Sequence, residues 1–524
     1  MLALARSSAP FARRLVRPAR AVAFGAVPLA AVASTARPPD LELPDPNQMH
    51  QAVANLLAVL DTLAPCFPLA RDTVHVIHDP SEFYATLKRK ILGARSQVFL
   101  ATLYIGRTEN DLIDTLHAAL AATPGLHVHI LADALRGTRE APQPSCASLV
   151  ASLVAAYPDR VHARLFHTPN LRGIKKTVVP NRLNEGFGLQ HMKIYAFDDD
   201  VILSGANLSE DYFSNRQDRY YLVRSAPVTN YYRQIFDAVS SLSYKISPDS
   251  SPAGFTLVWP AANAAPEPTK RAIAFIRVAT RRLAPIIRPP SSNLAASLCL
   301  ADTATPTVLY PISQFTPLLH PNTSTESAAI QQLLSMLSAD RFSWMFTAGY
   351  FNIHPEYRTS LLDSIPERGV ILTAAPEANG FYKSPGVSGY LPSAYSLLAE
   401  EFVRDVSRRH KLDRIHLLEW QRGVLNQPGG WTYHAKGIWV TPPHETMPCI
   451  SVIGSSNFTR RSHALDLESN ALIVTRDPEL RRQMCAEMRH LQEYAREMSE
   501  KDFKTDRQSG WGLKLALSVL GSML

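Results

Sequence analysis

Two stretches of this 524-residue chain carry the same short pattern, and the duplication limits the folds open to it. The first reads LQHMKIYAFDDDVILSGANLSEDYFSNRQDRYYLV, and the second runs from TYHAKGIWV through ISVIGSSNFTRRSHALDLESNALIV. Each opens with His-x-Lys on a strand pattern, His191 with Lys193 and His434 with Lys436. Residues two apart on a strand face the same side, so each His and its Lys can meet one ligand. A second apolar strand follows in each copy (VILSG, ISVIG) and ends in a small-residue turn carrying Asn207 or Asn457. An acid sits eleven residues after each Asn, Asp218 in one copy and Glu468 in the other.

These residue types suit substitution at phosphorus. Histidine serves as nucleophile, acid or base. Lysine and asparagine donate to anionic oxygens whose charge must be held through the reaction. A buried acid on the far nitrogen of a His fixes its tautomer and stabilises its charged form. The set is expected to form one phosphodiester site from two halves, with no metal or cofactor because Lys and Asn supply the electrostatics.

The rest of the chain fits a domain-scale repeat. Helical and strand-like segments alternate from about Arg71 to Leu242, as in SEFYATLKRKILGAR, VFLATLYIG, ENDLIDTLHAALAA and LHVHILAD. Such alternation predicts βαβ units in a sheet covered by helices. RSQVFLATLYIGRTENDLIDTLHAAL, from Arg95, lines up with RFSWMFTAGYFNIHPEYRTSLLDSI, from Arg341. A Pro-, Ala- and Ser-rich stretch at 246–306 separates the blocks and is expected to be a linker, with a short helix at IAFIRVATRRLAPII.

At these residues the chain resembles the phospholipase D superfamily, whose mark is a duplicated HxKxxxxD motif followed by a G-S-x-N-like turn. His191, Lys193 and Asp198 complete the first copy, whereas Thr441 stands at the acid position of the second. The resemblance implies an α/β fold of two α/β/α sandwich domains, at 70–245 and 307–503, related by a pseudo-twofold axis with the active site at their interface. Within the superfamily, the strings around His191 and His434 are similar to the branch that transfers a phosphatidyl group from CDP-diacylglycerol to sn-glycerol 3-phosphate, on the way to cardiolipin. That implies His191 as nucleophile, His434 as acid and base, and a phosphatidyl-histidine intermediate. It also implies Lys193, Lys436, Asn207 and Asn457 on the phosphoryl oxygens, Asp198 as part of the catalytic motif, and Asp218 and Glu468 orienting the histidines. The phosphate of glycerol 3-phosphate needs cations, and Arg216, Arg219, Arg460 and Arg461, with Arg136 or Arg139, are the candidates.

Charge separates this reading from nucleic-acid chemistry. Net charge is +8, but six arginines and no acid lie in the first 39 residues, so the body of the chain stands near +2. A near-neutral body with no basic, aromatic-interleaved stripe counts against a nuclease or a tyrosyl-DNA phosphodiesterase. A lipid hydrolase or cardiolipin synthase differs only in the acceptor, which the residues alone do not separate. A non-catalytic scaffold would have no reason to keep both His-Lys-Asn sets.

The Arg-rich start at 1–40, free of acid until Asp40, has the marks of a mitochondrial transit peptide. Nothing reaches the roughly 20 apolar residues of a spanning helix. The tail at 504–524, with GWGLKLALSVLGSML, is expected to lie in a bilayer interface or on the protein itself. A peripheral inner-membrane enzyme is therefore expected. The five cysteines are scattered with no CxxC pair, which excludes a disulfide framework. His75, His78, His127 and His129 lack further ligands at metal spacing, and their expected role is structural.

Overall fold

The apolar strand patterns build two sheets of nine strands each. They are seen in a computed structural model that describes residues 49–179, 184–291 and 295–506. The N-terminal leader and the tail from 507 onward lie outside the described residues.

In the first sheet, three parallel strands lie side by side: Gln97–Ala101, His127–Asp133 and Val161–Phe166. An antiparallel run continues from Gln97–Ala101 through Ile194–Phe197, Asp200–Ser204, Tyr220–Arg224 and Val74–Ile77. The second sheet repeats this order. Its parallel trio is Ser343–Ala348, Gly369–Ala374 and Ile415–Trp420. Its antiparallel run is Lys436–Thr441, Ile450–Gly454, Glu468–Thr475 and Thr307–Gln314. The helices Asn110–Ala122 and Pro355–Asp363 each follow the first strand of their trio, so the duplication extends to topology.

Three apolar layers hold this arrangement. Phe99, Leu131 and Ile194 of the first sheet share one core with Leu309, Met345 and Leu372 of the second. The helices Ala226–Ser240, Ala272–Ile287 and Pro478–Gln492 contribute to that central core. The outer face of each sheet is covered by its own helices. All three layers are fully buried, so the halves are welded along their length by non-directional apolar contact.

The stretch 246–306 is more than the linker its composition suggests. Tyr244–Pro248 and Phe255–Val258 pair as the edge hairpin of the first sheet. Helix Ala272–Ile287 places Phe275, Ala279, Leu283 and Ile287 on one buried face at four-residue spacing, as an amphipathic core helix requires. Upstream of the first block, helix Gln51–Leu63 packs on the outer face of the second sheet, and strand Phe67–Leu69 pairs with Thr307–Gln314.

One buried ion pair pins the halves. Arg219 makes a two-point contact with Glu487, Nε to Oε1 at 2.7 Å and Nη2 to Oε2 at 3.0 Å, and donates to the Val452 carbonyl at 2.6 Å. Its guanidinium lies 3.8 Å from the Trp439 ring centre. Gly437, at φ +154, leaves room for it, since a Cβ there would strike Arg219 Nη1. Removing one partner from such a pair costs about 3–5 kcal/mol.

Candidate active site

The parallel strands of each sheet end toward a cavity of about 500 Å³ bordered by both halves. His191, Asn207, His434 and Asn457 all line it. Each histidine sits just ahead of a buried strand, Ile194–Phe197 or Lys436–Thr441, and its own lysine folds back beneath it. Lys193 Nζ donates to the His191 carbonyl at 2.7 Å, and Lys436 Nζ to the His434 carbonyl at 2.9 Å.

The acids cross over. His191 Nδ1 lies 2.9 and 3.0 Å from the two carboxylate oxygens of Glu468, which belongs to the second half. His434 Nδ1 lies 2.6 Å from Oδ2 of Asp218, which belongs to the first. Backbone pairing between the halves carries the acids there. The His191 amide donates to the Leu467 carbonyl at 2.9 Å, and the His434 amide to the Gln217 carbonyl at 2.8 Å. The residue after each of those acceptors is the acid. Ser455 donates to Glu468, and the Arg219 amide donates to Asp218 Oδ1 at 2.8 Å. The tight turn also matters: a Cβ on Gly205 would lie 2.6 Å from Asp218 Oδ1 and 2.9 Å from Lys436 Nζ.

Burial dominates the electrostatics. It depresses both histidines well below 6.5, and the adjacent Lys193 and Lys436 push the same way. Burial also lowers Lys193 to about 7 and Lys436 to about 8, against the pull of Glu468 and Asp218. Glu468 is raised to about 7 and Asp218 is raised, again by burial, with the lysines opposing. Two neutral histidines between two acids and two lysines make a nearly electroneutral nest. With Nδ1 turned to a carboxylate, each histidine has Nε2 left for a substrate. Among the described residues, Asn207 Oδ1 and Asn457 Oδ1 have no hydrogen-bond partner.

Not every expected residue joins this set. Asp198 does not: it lies past the far end of strand Ile194–Phe197 and accepts from the Arg95, Ser96 and Gln97 amides at 2.8–3.0 Å and from Ser96 Oγ at 2.6 Å. Burial would raise its pKa, but those hydrogen bonds hold it low. It ties the turn ahead of strand Gln97–Ala101 and does not line the cavity. Arg219 is likewise committed to Glu487, and Arg460 is exposed outside the cavity lining. Arg136, Arg139, Arg216 and Arg461 do line the cavity, each held by an acid: Glu140, Glu185, Asp211 and Asp466 respectively.

Sequence reasoning passed over the tyrosines. Tyr212 OH lies 3.2 Å from Asn207 Nδ2 and 3.3 Å from His434 Nε2, and the Tyr350 ring meets His434 edge-on at 5.5 Å. Tyr104 and Tyr350 both line the cavity and occupy matching places in the aligned blocks from Arg95 and Arg341, a signal that was available. Asp133, buried and raised to about 8 by that burial, accepts from the Gln190 amide at 2.9 Å and so fixes the approach to His191.

A family model described as "Cardiolipin synthase, PLD-like domain" matches residues 87–240. The chain is 47% identical to a CDP-diacylglycerol--glycerol-3-phosphate 3-phosphatidyltransferase of Saccharomyces cerevisiae, covering 88% of this chain and 90% of that one. A protein of the same name from Schizosaccharomyces pombe is 39% identical, over 85% and 93%. The Gallus gallus relative, whose name adds "mitochondrial", is 34% identical over 82% and 79%. Among solved structures, the phosphatidylserine synthase of Haemophilus influenzae aligns with a TM-score of 0.70 at 19% identity, covering 90% of this chain and 97% of that one, which shows a shared fold. By sequence across most of its length and by the phospholipase D-like fold that carries its paired histidines, the chain belongs to the CDP-diacylglycerol--glycerol-3-phosphate 3-phosphatidyltransferase family.

Proposed function

We propose that this chain performs the reaction its relatives are named for in two displacements at one phosphorus. CDP-diacylglycerol and sn-glycerol 3-phosphate give phosphatidylglycerophosphate and CMP. One observation carries the mechanism: two histidines, each with Nδ1 on a carboxylate and each lining the same cavity, flank one phosphate-sized nest.

In the first step, His191 Nε2 attacks the phosphorus that bears diacylglycerol. A P–N bond forms and the P–O bond to CMP breaks. The charge of the bound diphosphate draws a proton onto His434, which passes it to the departing CMP oxygen. In the second step, His434 Nε2 takes the proton of the glycerol hydroxyl as that oxygen attacks phosphorus. The P–N bond breaks and His191 returns neutral. Lys193, Lys436, Asn207 and Asn457 hold the phosphoryl oxygens, and Glu468 and Asp218 stabilise the charged imidazoles. Arg216 and Arg461, with Arg136 and Arg139, bind the phosphate of the acceptor by exchanging their carboxylate partners for it.

His191 is assigned as nucleophile because, among the described residues, no donor stands against its Nε2, whereas Tyr212 OH stands 3.3 Å from His434 Nε2. Acid quench of enzyme turning over CDP-diacylglycerol, followed by mass spectrometry, tests this. A phosphatidyl adduct on His191 is expected. An adduct on His434 reverses the roles, and none on either histidine favours direct displacement. Phosphatidic acid in place of phosphatidylglycerophosphate would mark a hydrolase.

The substrate's tails set the location. Withdrawing an acyl chain into water costs about 0.8 kcal/mol per methylene, so two chains keep the lipid in its bilayer. Among the described residues no helix is long and apolar enough to cross a membrane. A headgroup that enters the cavity while its tails stay in the bilayer fits an enzyme acting at the membrane surface. The basic, acid-free leader and the vertebrate relatives named mitochondrial support the inner mitochondrial membrane as its site.

A further inference from the structure

We infer that the two lips of the active-site cavity are the surface that docks on an anionic lipid bilayer; this rests on the transferase reading above. One lip includes the segment 171–179, which does not line the cavity itself but packs against Leu189, which does. Its buried Leu171 packs with Leu135 and Leu189 into a small cluster that borders the cavity, and Lys175 Nζ reaches to 5.8 Å from the Phe187 ring of the same cluster. The next residues face outward: Ile174 is 82% exposed and Val178 is 71% exposed. In the helix Ile174–Val178 they stand four apart, on one face. Ile174 and Val178 thus present aliphatic surface to solvent beside three exposed cations, Arg172, Lys175 and Lys176.

The other lip comes from the second half. Phe381, Ser384 and Pro385 line the cavity, while Lys383 is exposed and Tyr390 is 58% exposed. Neither 171–179 nor 380–391 contains an acid. Aliphatic and tyrosine side chains with basic neighbours and no carboxylate match an interface of acyl chains, glycerol backbones and negative headgroups. They match a protein partner less well, since nothing in the lips offers a patterned set of acceptors. The position also fits the chemistry: diacylglycerol can stay in the bilayer while its diphosphate crosses the lips into the nest.

The test is co-sedimentation of the full chain with phosphatidylcholine vesicles, with and without phosphatidylglycerol. It compares wild type with Lys175→Ala/Lys176→Ala and Ile174→Ser/Val178→Ser. Each basic side chain near an anionic surface is worth about fivefold in partitioning. The lysine pair should therefore lose about 30-fold on phosphatidylglycerol vesicles and little on neutral ones. The aliphatic pair should lose at least tenfold on both. Both variants should release CMP from a short-chain, monomeric CDP-diacylglycerol as fast as wild type, which shows that they fold. Wild-type vesicle binding by both variants overturns the proposal. Loss of a dimer with vesicle binding intact assigns the lips to a second copy and overturns it too. Failure of wild type to release CMP from the monomeric substrate sinks the transferase reading separately, with the vesicle data still deciding the docking surface.

Discussion

The two histidines occupy the same place in two copies of one fold, yet their surroundings are unequal. His191 meets both oxygens of Glu468, at 2.9 and 3.0 Å, and its lysine touches only its backbone carbonyl. His434 meets one oxygen of Asp218 at 2.6 Å, has Lys436 Nζ at 2.8 Å from Nδ1, and has a tyrosine hydroxyl near Nε2. Behind Glu468 lies a further buried carboxyl, Glu326, raised to about 8 by burial and by Glu468 itself. Duplication supplies two equivalent imidazoles, and the side chains packed around them make the two unequal; on the proposed mechanism that inequality divides the work. A bare Nε2 suits attack on phosphorus, and an Nε2 in a network of donors suits proton transfer.

The widest separation should come from the histidines. His191→Ala and His434→Ala should each cost at least about 10⁴-fold in transferase activity, near the upper end of what one acid or base contributes. Only His434→Ala should retain an adduct after acid quench; an adduct in His191→Ala would invert the comparison. The crossed acids come next. Glu468→Gln and Asp218→Asn should each lower kcat by about 10³-fold with the fold intact, because each leaves its partner histidine in the wrong tautomer. Circular dichroism and turnover measured together check this.

Arginines separate the cavity from the interface behind it. Arg461→Ala should raise the KM for glycerol 3-phosphate about 10–100-fold, the worth of a charged hydrogen bond. Arg219→Ala should instead lower stability by about 3–5 kcal/mol. A raised KM in Arg219→Ala without lost stability would return that residue to the site.

The pH profile sharpens the lysine half of the comparison. Lys193 at about 7 and Lys436 at about 8 lose their protons as pH rises through those values, so kcat/KM should begin to fall above about pH 7, with a second, steeper alkaline limb above about pH 8 set by Lys436. Lys436→Arg should move that alkaline limb upward, since arginine stays charged. A limb unchanged in Lys436→Arg would remove Lys436 as its cause. The smallest effect on catalysis belongs to Asp198→Ala: activity within about threefold of wild type, with a stability loss of about 1–3 kcal/mol from stranded amide donors. A large drop in turnover there would restore Asp198 to the motif's chemistry.

Much of this arrangement was legible because the repeat is local. The βα alternation, the His-x-Lys pairs and the Asn turns announce themselves within a few residues of each other. The exchange of acids between halves was not, because pairing of the chain beside Gln217 with the chain beside Tyr433 joins residues with no shared local pattern. Arg219 shows a readable signal that was missed. In the extended chain from Arg216 to Arg219, side chains alternate in direction, so if Asp218 faces the site then Arg219 faces away from it. The helix Ala272–Ile287 was legible in IAFIRVATRRLAPII, but the proline- and alanine-rich composition around it disguised its place in the central core.

The exchange of acids also acts as a safeguard. A half that folds first, during synthesis or after passage through a membrane, presents a histidine with no carboxylate to set its tautomer and an acid with no imidazole to serve. On the proposed mechanism, such a half is inert toward the lipids around it. Reactivity toward an activated lipid switches on only when the last long-range pairing closes, which makes turnover itself a report that the whole chain has reached its native state.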